Sequence, residues 1–353
     1  MTARLTGRAE PIGPLLFEPM LKEKVWGSTR LARYGKALEP GRLYGESWEL
    51  ADLPSTSAGG GGGGAARSVV AAGPLAGTDI NTLVRTMGDD LLGAAAPHVW
   101  DLPESQGGGP AFPLLIKLLD AGQHLSVQVH PSPGYARTHP AAHLKTESWV
   151  VLESRGAELP GGSPLEPLVY AGIKAGTEPG AFRAAAESGE IEPLLVRHRA
   201  AVGDCYTLPS GTCHALGAGV LVAEVQTPSD TTFRVYDWAR EYGRTGRELH
   251  LDEALACIDF GDGHGPDPSS GAGEVARTDR FTIESVRLEP GGEVGLDGDR
   301  CAIVMLAAGE AVCRAGGIER RLVRGATALV AASECGGATV RAGDGADPDG
   351  GAW

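Results

Sequence analysis

The chain has 353 residues, 42% of them hydrophobic, which is enough for two domains or for one core with insertions. Its 31 Lys and Arg against 45 Asp and Glu give a net charge of −14. This charge argues against nonspecific binding to nucleic acids or anionic membranes, because both need a basic surface. No apolar run approaches the roughly 20 residues of a membrane helix, and the N-terminus lacks the apolar core of a signal peptide. We therefore expect a cytoplasmic monomer or homodimer with no nucleic-acid or membrane partner.

The predicted secondary structure is mainly β. An amphipathic helix is expected from an N-cap at Thr78, because Ile80, Leu83, Met87 and Leu91 form one apolar stripe. The β pattern is broken between 163 and 200, where Pro179–Ala186 and Ile191–His198 favour short helices. Strand-like segments make up most of the remainder: several pieces between 14 and 52, then 112–119, 125–130, 145–153, 205–208, 219–226 and 231–237.

Glycine and proline indicate how the chain is divided. The hexaglycine Gly59–Gly64 and the Gly/Pro/Asp-rich stretch 261–277 are typical of flexible connections. Residues 278–353 alternate short β runs with Gly turns, which favours a second, smaller C-terminal β-barrel lobe. We predict a first domain at 1–260 with helical insertions at about 78–93 and 163–200, a linker at 261–277, and a C-terminal domain at 278–353.

Four residues with metal-ligand chemistry lie in the strand-like part of the first domain. Gln128 and His130 are two positions apart in an alternating segment, so both side chains point to the same face of a strand. Glu147 lies in a second strand-like run, and His214 ends a Gly/Pro-containing turn. Two imidazoles, a carboxylate and an amide oxygen suit zinc, manganese or iron. We predict that the four meet around one ion inside a β-barrel.

Several ordered motifs resemble a known family. The spacing Gly203-x5-Pro209-x-Gly211-x2-His214 is that of the second cupin motif. Together with the four candidate ligands, the chain from about 14 to 256 resembles the type I mannose-6-phosphate isomerases, which are zinc-dependent cupins, in their short bacterial branch. The segments that carry the resemblance are Val25–Gly27, Gly45–Trp48, Pro113–Lys117, Leu125–Pro131, Lys145–Glu147, Ser229–Arg234 and Tyr236–Asp237.

The resemblance implies a fold, a cofactor and a reaction. The fold would be a cupin, or jelly-roll, barrel, and the cofactor one zinc ion per chain. The reaction would interconvert mannose 6-phosphate and fructose 6-phosphate through an enediol-type intermediate, with a sugar phosphate as the small-molecule partner. It also implies site residues: Arg234, Lys145 and Glu224 as catalytic groups, of which Glu224 is preferred for proton transfer, and Ser126, Lys117 and Arg240 as substrate-binding groups.

Two alternatives remain open from the sequence. A non-catalytic metal-dependent cupin that binds sugar phosphates would keep the ligands, but it would be expected to lose some of Arg234, Lys145 and Glu224. Another cupin enzyme, such as a dioxygenase or a cupin-type phosphoglucose isomerase, normally uses a compact His-x-His motif. Here Gln128 stands in place of the first histidine, which favours zinc over oxygen chemistry.

Overall fold

The structure, a computed structural model, describes residues 10–57, 62–96, 100–102, 108–261, 265–296 and 298–344. Part of the hexaglycine segment (58–61) and part of the predicted linker (262–264) lie outside the described residues. The chain forms two compact units. The described residues of the larger unit lie within 19–67 and 100–286, and those of the smaller within 10–18, 68–96 and 287–344.

Two antiparallel sheets form the body of the larger unit. One has six strands, in the order Cys205–Leu208, Glu147–Ser154, Val220–Gln226, Leu115–Asp120, Tyr44–Leu50, Met20–Ser28. The other has five strands, in the order Leu195–Arg199, Leu168–Ile173, His214–Leu216, Val127–Val129, Phe233–Tyr236. A buried apolar cluster includes Trp149 and Val222 from the first sheet and Val169 and Leu216 from the second. The sheets therefore pack face to face, as in a cupin-type sandwich.

Short ribbons and helices surround these sheets. Four two-stranded ribbons pair Asp52–Thr56 with Gly64–Arg67, Trp100–Leu102 with Gly109–Ala111, Ala157–Glu158 with Pro164–Leu165, and Gly273–Arg277 with Thr282–Ser285. The helices are Arg30–Tyr34 and Glu192–Leu194, both 3₁₀, and Pro133–Thr138, Pro179–Ser188 and Leu251–Cys257. Phe182 and Ala254 from the last two pack with Val127 and Val235 on the five-stranded sheet. Helices thus cover the outer face of the five-stranded sheet, the face that points away from the six-stranded sheet.

The helical insertion predicted at 163–200 is only partly confirmed. The helix Pro179–Ser188 begins with proline at its first turn, as the sequence indicated. The helix predicted at Ile191–His198 is wrong, because a single 3₁₀ turn leads into the strand Leu195–Arg199. That strand pairs with Leu168–Ile173, so two strands from this region belong to the five-stranded sheet itself. Leu195 is completely buried there, a tertiary contact that local propensity does not register.

The smaller unit is also built mainly from β strands. A three-stranded sheet contains Leu15–Leu16, Thr327–Val330 and Ala302–Met305, and a four-stranded sheet contains Glu293–Gly295, Thr339–Ala342, Glu310–Ala315 and Ile318–Val323. Its helices are Ile80–Met87, Asp89–Leu92 and Ala332–Cys335. Leu15 pairs with Leu329, so the N-terminal segment completes a sheet built mainly from residues far along the chain.

The predicted amphipathic helix is present, but its N-cap is a different residue from the one predicted. Ile80–Met87 is helical, and Asp79 rather than Thr78 is the N-cap, accepting a hydrogen bond from the Thr82 backbone at 2.9 Å. This helix belongs to the smaller of the two compact units. The domain boundaries at 260 and 278 stay a prediction. No helix within the described ranges has both the length and the apolar character needed to cross a bilayer.

Candidate metal centre

Three buried side chains converge between the two sheets of the larger unit. His130 and His214 come from the five-stranded side and Glu147 from the six-stranded sheet, and their ligand atoms all lie within 4.8 Å of one another. His130 Nε2 is 3.3 Å from Glu147 Oε2, and His214 Nε2 is 3.1 Å from Glu147 Oε1. The relative exposure of the three residues is 1% or less. Residues separated by more than eighty positions therefore meet at one point.

Backbone carbonyls orient both imidazoles. His130 Nδ1 lies 2.9 Å from the Thr231 carbonyl, and His214 Nδ1 lies 2.8 Å from the Thr212 carbonyl. Because a carbonyl can only accept, each Nδ1 donates, and each ring directs its Nε2 atom at the Glu147 carboxylate. Burial and the Lys145 ammonium lower the pKa of His130 to about 3, which keeps its ring neutral. This is the protonation state that a metal ion requires of a histidine ligand.

Gln128 lies at the edge of this group. It is directly opposite His214 in the sheet register, and its Nε2 is 3.2 Å from His214 Nε2. Its Oε1 accepts a hydrogen bond from the Ser126 hydroxyl at 3.3 Å. A half-turn of the amide would exchange the two atoms and direct the oxygen at the histidines. The position is therefore suitable for a fourth ligand, with Ser126 beside it.

Lys145 and Glu224 extend the group into a buried charge network. Lys145 Nζ lies 2.5 Å from Glu147 Oε2, 3.1 Å from His130 Nε2 and 3.4 Å from Glu224 Oε1. Burial alone would raise the pKa of Glu147, but Lys145 and the imidazoles hold it well below its usual value. Burial would lower the pKa of Lys145, but the carboxylates around it raise it. Burial raises the pKa of the Glu224 carboxyl. A carboxylate and an ammonium group thus lie next to the candidate ligands.

Strand register explains why these polar groups line up. On four successive strands, the residues directly opposite one another are Trp149, Glu224, Lys117 and Trp48, in that order. Residues that are opposite each other in neighbouring strands share one face of the sheet, so all four side chains lie on the same face. Lys117 Nζ is 3.1 Å from Glu224 Oε2 and 2.7 Å from Gln226 Oε1, and it lies over the Trp48 ring. Lys117 is 5% exposed, and these partners offset the cost of burying its charge.

Arg234 and Arg240 occupy different surroundings. Arg234 is opposite Gln128 on the edge strand of the five-stranded sheet, and its Nη1 donates to the Glu248 carbonyl at 2.6 Å. Arg240 is exposed, and its Nη1 lies 3.4 Å from the Ser188 carbonyl at the end of a helix. The structure therefore brings together Gln128 and Arg234 but places Arg240 on the helix-covered side of the sheet.

Sequence reasoning overlooked some residues of this region. His124, which the sequence pattern does not mark as buried, is 5% exposed; its ring centroid is 4.7 Å from that of Trp238, and its Nδ1 is 2.5 Å from the Tyr242 hydroxyl. Arg244 and Arg247 were not singled out, although both bind Asp237. The sequence feature that could have identified these two residues is the group of arginines that follows Asp237 in an otherwise acidic chain.

The facing sheets and the His–Glu–His group define a cupin-type β protein with a candidate metal centre between its sheets. No family model matches the chain. It is 38% identical over 250 residues to "Probable mannose-6-phosphate isomerase GmuF" of Bacillus subtilis, covering 69% of this chain and 68% of the relative. It is 36% identical over 252 residues to mannose-6-phosphate isomerase ManA of the same organism, covering 70% and 68%.

A solved structure agrees with these relatives. The crystal structure of the mannose 6-phosphate isomerase from Bacillus subtilis superposes with a TM-score of 0.73 at 26% sequence identity, covering 94% of this chain and 97% of that one. The chain belongs to the mannose-6-phosphate isomerase family.

Proposed function

We propose that this protein is an aldose–ketose isomerase that interconverts mannose 6-phosphate and fructose 6-phosphate. The observation that carries the proposal is the buried group of His130, Glu147 and His214 in direct contact with Lys145, within a member of this family. A carboxylate, an ammonium group and a metal-ligand set within one buried group are what proton transfer next to a sugar carbonyl requires.

The donor set fits one divalent metal ion, and we propose zinc, held by His130, Glu147 and His214 with Gln128 as the fourth ligand. Both oxygens of Glu147 are buried and face Lys145 and the two imidazoles. Both imidazoles direct their Nε2 atoms at the Glu147 carboxylate. When bound, the ion supplies an electrophile for negative charge that develops on the sugar oxygens.

The residues beside the ligands account for the proton transfer. Glu224 removes the proton from C2 of the aldose and returns it to C1, while the hydroxyl proton moves between the neighbouring oxygens, so that atoms and charge balance. Lys145, which is 3.4 Å from Glu224, stabilises the negative charge of the enediol-type intermediate, and Arg234 acts on the same charge from the opposite sheet. Both cations are held in place before the reaction, which limits the reorganisation that the reaction requires.

The substrate is a sugar phosphate, and three residues are proposed to bind it. Ser126 lies beside Gln128, and Lys117 lies beside Glu224, so both are adjacent to the reacting end of the substrate. The family resemblance assigns Arg240, like Ser126 and Lys117, to the phosphate group; Arg240 is exposed on the helix-covered side of the sheet.

Metal removal is the most direct test of this function. We expect dialysis against a chelator to abolish mannose 6-phosphate isomerisation in a coupled assay, and added zinc to restore it, because the charge of the intermediate would otherwise lack its electrophile. Manganese and cobalt should be added in parallel to test the identity of the metal. Full activity in protein shown by elemental analysis to be metal-free would contradict the proposal. A metal-loaded protein that binds the substrate without turnover would instead be the non-catalytic binder.

Arg234→Ala should lower kcat by at least ~100-fold, the usual loss for one electrostatic contact to a transition state. Metal content should not change, because the Arg234 guanidinium contacts the Glu248 carbonyl and is near Asp237, and neither belongs to the ligand group. The measurement is kcat together with elemental analysis of the same preparation. An unaltered kcat would remove Arg234 from the catalytic residues.

A further inference from the structure

A loop segment lies along the strand that carries Arg234. In the described part of the chain, Phe233–Tyr236 is an edge strand of the five-stranded sheet, so its outer backbone groups need partners from outside the sheet. The His250 N–H donates to the Arg234 carbonyl at 2.8 Å, and the Arg234 N–H donates to His250 Nδ1 at 3.2 Å. The Glu248 carbonyl accepts a third hydrogen bond, from Arg234 Nη1 at 2.6 Å. We call the segment 248–250 the clasp, because it holds both the backbone and the side chain of Arg234.

The same contacts fix where Arg234 lies relative to the candidate ligands. Since its backbone groups face His250, Arg234 and Gln128 form a non-hydrogen-bonded pair, the type in which opposite side chains lie closest. Phe233 precedes Arg234 and Val129 follows Gln128, and both pack in the cluster on the helix-covered face. Successive side chains alternate between faces, so Arg234 and Gln128 share the inner face. Burial lowers the pKa of Arg234, as expected for a cation that has lost part of its hydration. The clasp therefore holds a partly dehydrated cation beside the candidate ligand group.

A packed helix anchors the clasp. His250 immediately precedes the helix Leu251–Cys257, and the Ala254 N–H donates to the His250 carbonyl at 2.9 Å. Ala254 is completely buried in the cluster that covers the five-stranded sheet. Because a backbone N–H can only donate, His250 Nδ1 is the acceptor for Arg234. The core thus sets the position of His250, and the imidazole transmits that position to Arg234.

We propose that His250 is a positioning residue for Arg234 in the isomerisation. A guanidinium group stabilises the charge of the intermediate most effectively when it is held in place before that charge develops. Of the three clasp contacts, the one to Nδ1 depends on the identity of a clasp side chain, because the other two use backbone groups of the segment. This inference rests on the proposed function, since it explains how one of the proposed catalytic residues is held.

The test compares His250→Ala with His250→Asn in metal-loaded protein. The Asn side-chain oxygen lies the same number of bonds from Cα as Nδ1, so it can accept the same hydrogen bond. His250→Ala should lower kcat by about 10- to 100-fold, the effect of displacing a catalytic group by a fraction of an ångström to about 1 Å. KM should change less than ~3-fold, because the charge that Arg234 stabilises develops only after binding. His250→Asn should restore kcat to within ~3-fold of wild type, and both variants should keep their metal.

Leu249→Ala is the matched control. Leu249 lies between the two contact residues of the clasp and is 39% exposed, so its truncation alters the same segment without removing a hydrogen bond to Arg234. Its kcat and KM should equal those of wild type. An equal loss of kcat in Leu249→Ala would assign the effect to the loop as a whole and overturn the role of the imidazole. If His250→Ala does not fold, His250→Gln takes its place, since its oxygen lies one bond further out than Nδ1.

A double-mutant cycle shows whether His250 acts through Arg234. When His250→Ala is added to Arg234→Ala, kcat should fall no further, because the group to be positioned is already absent. Losses that multiply would overturn the proposal. So would an unchanged kcat in His250→Ala, or a His250→Asn variant as slow as His250→Ala.

Hydrogen exchange at the Arg234 amide separates this inference from the proposed function, because it does not depend on turnover. The amide should exchange faster in His250→Ala than in wild type or in His250→Asn, since it has lost its acceptor. If wild type has no isomerase activity but this exchange pattern is found, the function is wrong and the clasp is supported. If wild type is an active isomerase and His250→Ala keeps its kcat, the function stands and the inference is wrong.

Discussion

His214→Ala should lose its metal and, with it, isomerase activity. A direct ligand is expected to cost at least ~100-fold in metal affinity, because loss of an outer-shell partner alone typically costs about 10- to 100-fold. Removing the ring also leaves Glu147 Oε1 without the imidazole that lies 3.1 Å away. The measurement is elemental analysis after dialysis, with affinity determined by competition against a chelator of known strength.

His139→Ala is the matched control for this experiment. His139 is exposed at the end of the helix Pro133–Thr138, so its loss should leave metal affinity and activity unaltered. It is also one member of the His139/His143 pair, the other histidine spacing in the chain that resembles a metal motif. Undiminished metal binding in His214→Ala, or a loss in His139→Ala, would place the metal elsewhere.

Glu224→Gln should lower kcat by about 10²- to 10⁴-fold, the usual contribution of a positioned general base. The amide has nearly the same shape but cannot accept the C2 proton, and Glu224 is only 1% exposed, so solvent cannot replace it. Metal content should be retained, because Glu224 is not itself a candidate ligand, although it contacts the ligand Glu147 as well as Lys117, Lys145 and Trp149. Exchange of the C2 hydrogen with solvent deuterium should slow in parallel with turnover.

The companion variant is Glu158→Gln, which removes an exposed carboxylate of the same unit. It should behave as wild type in both assays. If Glu224→Gln still exchanges the C2 hydrogen at the wild-type rate, the base is another group, and Lys145 is the next residue to test because it lies 3.4 Å from Glu224.

The candidate ligands could be predicted because their signals are local. Gln128 and His130 lie two apart in an alternating strand, and His214 follows a Gly-Pro-Gly turn whose spacing is distinctive. The structure places both histidines with Glu147 in one group, as the prediction required. Their roles as ligands stay a prediction until metal is measured.

The secondary structure and burial of some segments could not be predicted, because both depend on tertiary packing. Ile191–His198 has residues that a short helix accepts, but Leu195 is buried opposite Ile173 and the segment forms a strand. His124 gave no sign of burial, since the ring of Trp238 and the hydroxyl of Tyr242 that enclose it are more than a hundred residues away. Local propensity carries no information about such partners.

The sequence by itself determined the β character of the chain, the identity of the candidate ligands and the family, because alternation and motif spacing are properties of neighbouring residues. Only the tertiary structure decided which charges meet. Strand register set Lys117 against Glu224 and Arg234 against Gln128, and the loop that follows Tyr236 brought Arg244 and Arg247 to Asp237. Register depends on the packing of whole sheets, and a shift of one residue would turn the paired strand side chains to the other face.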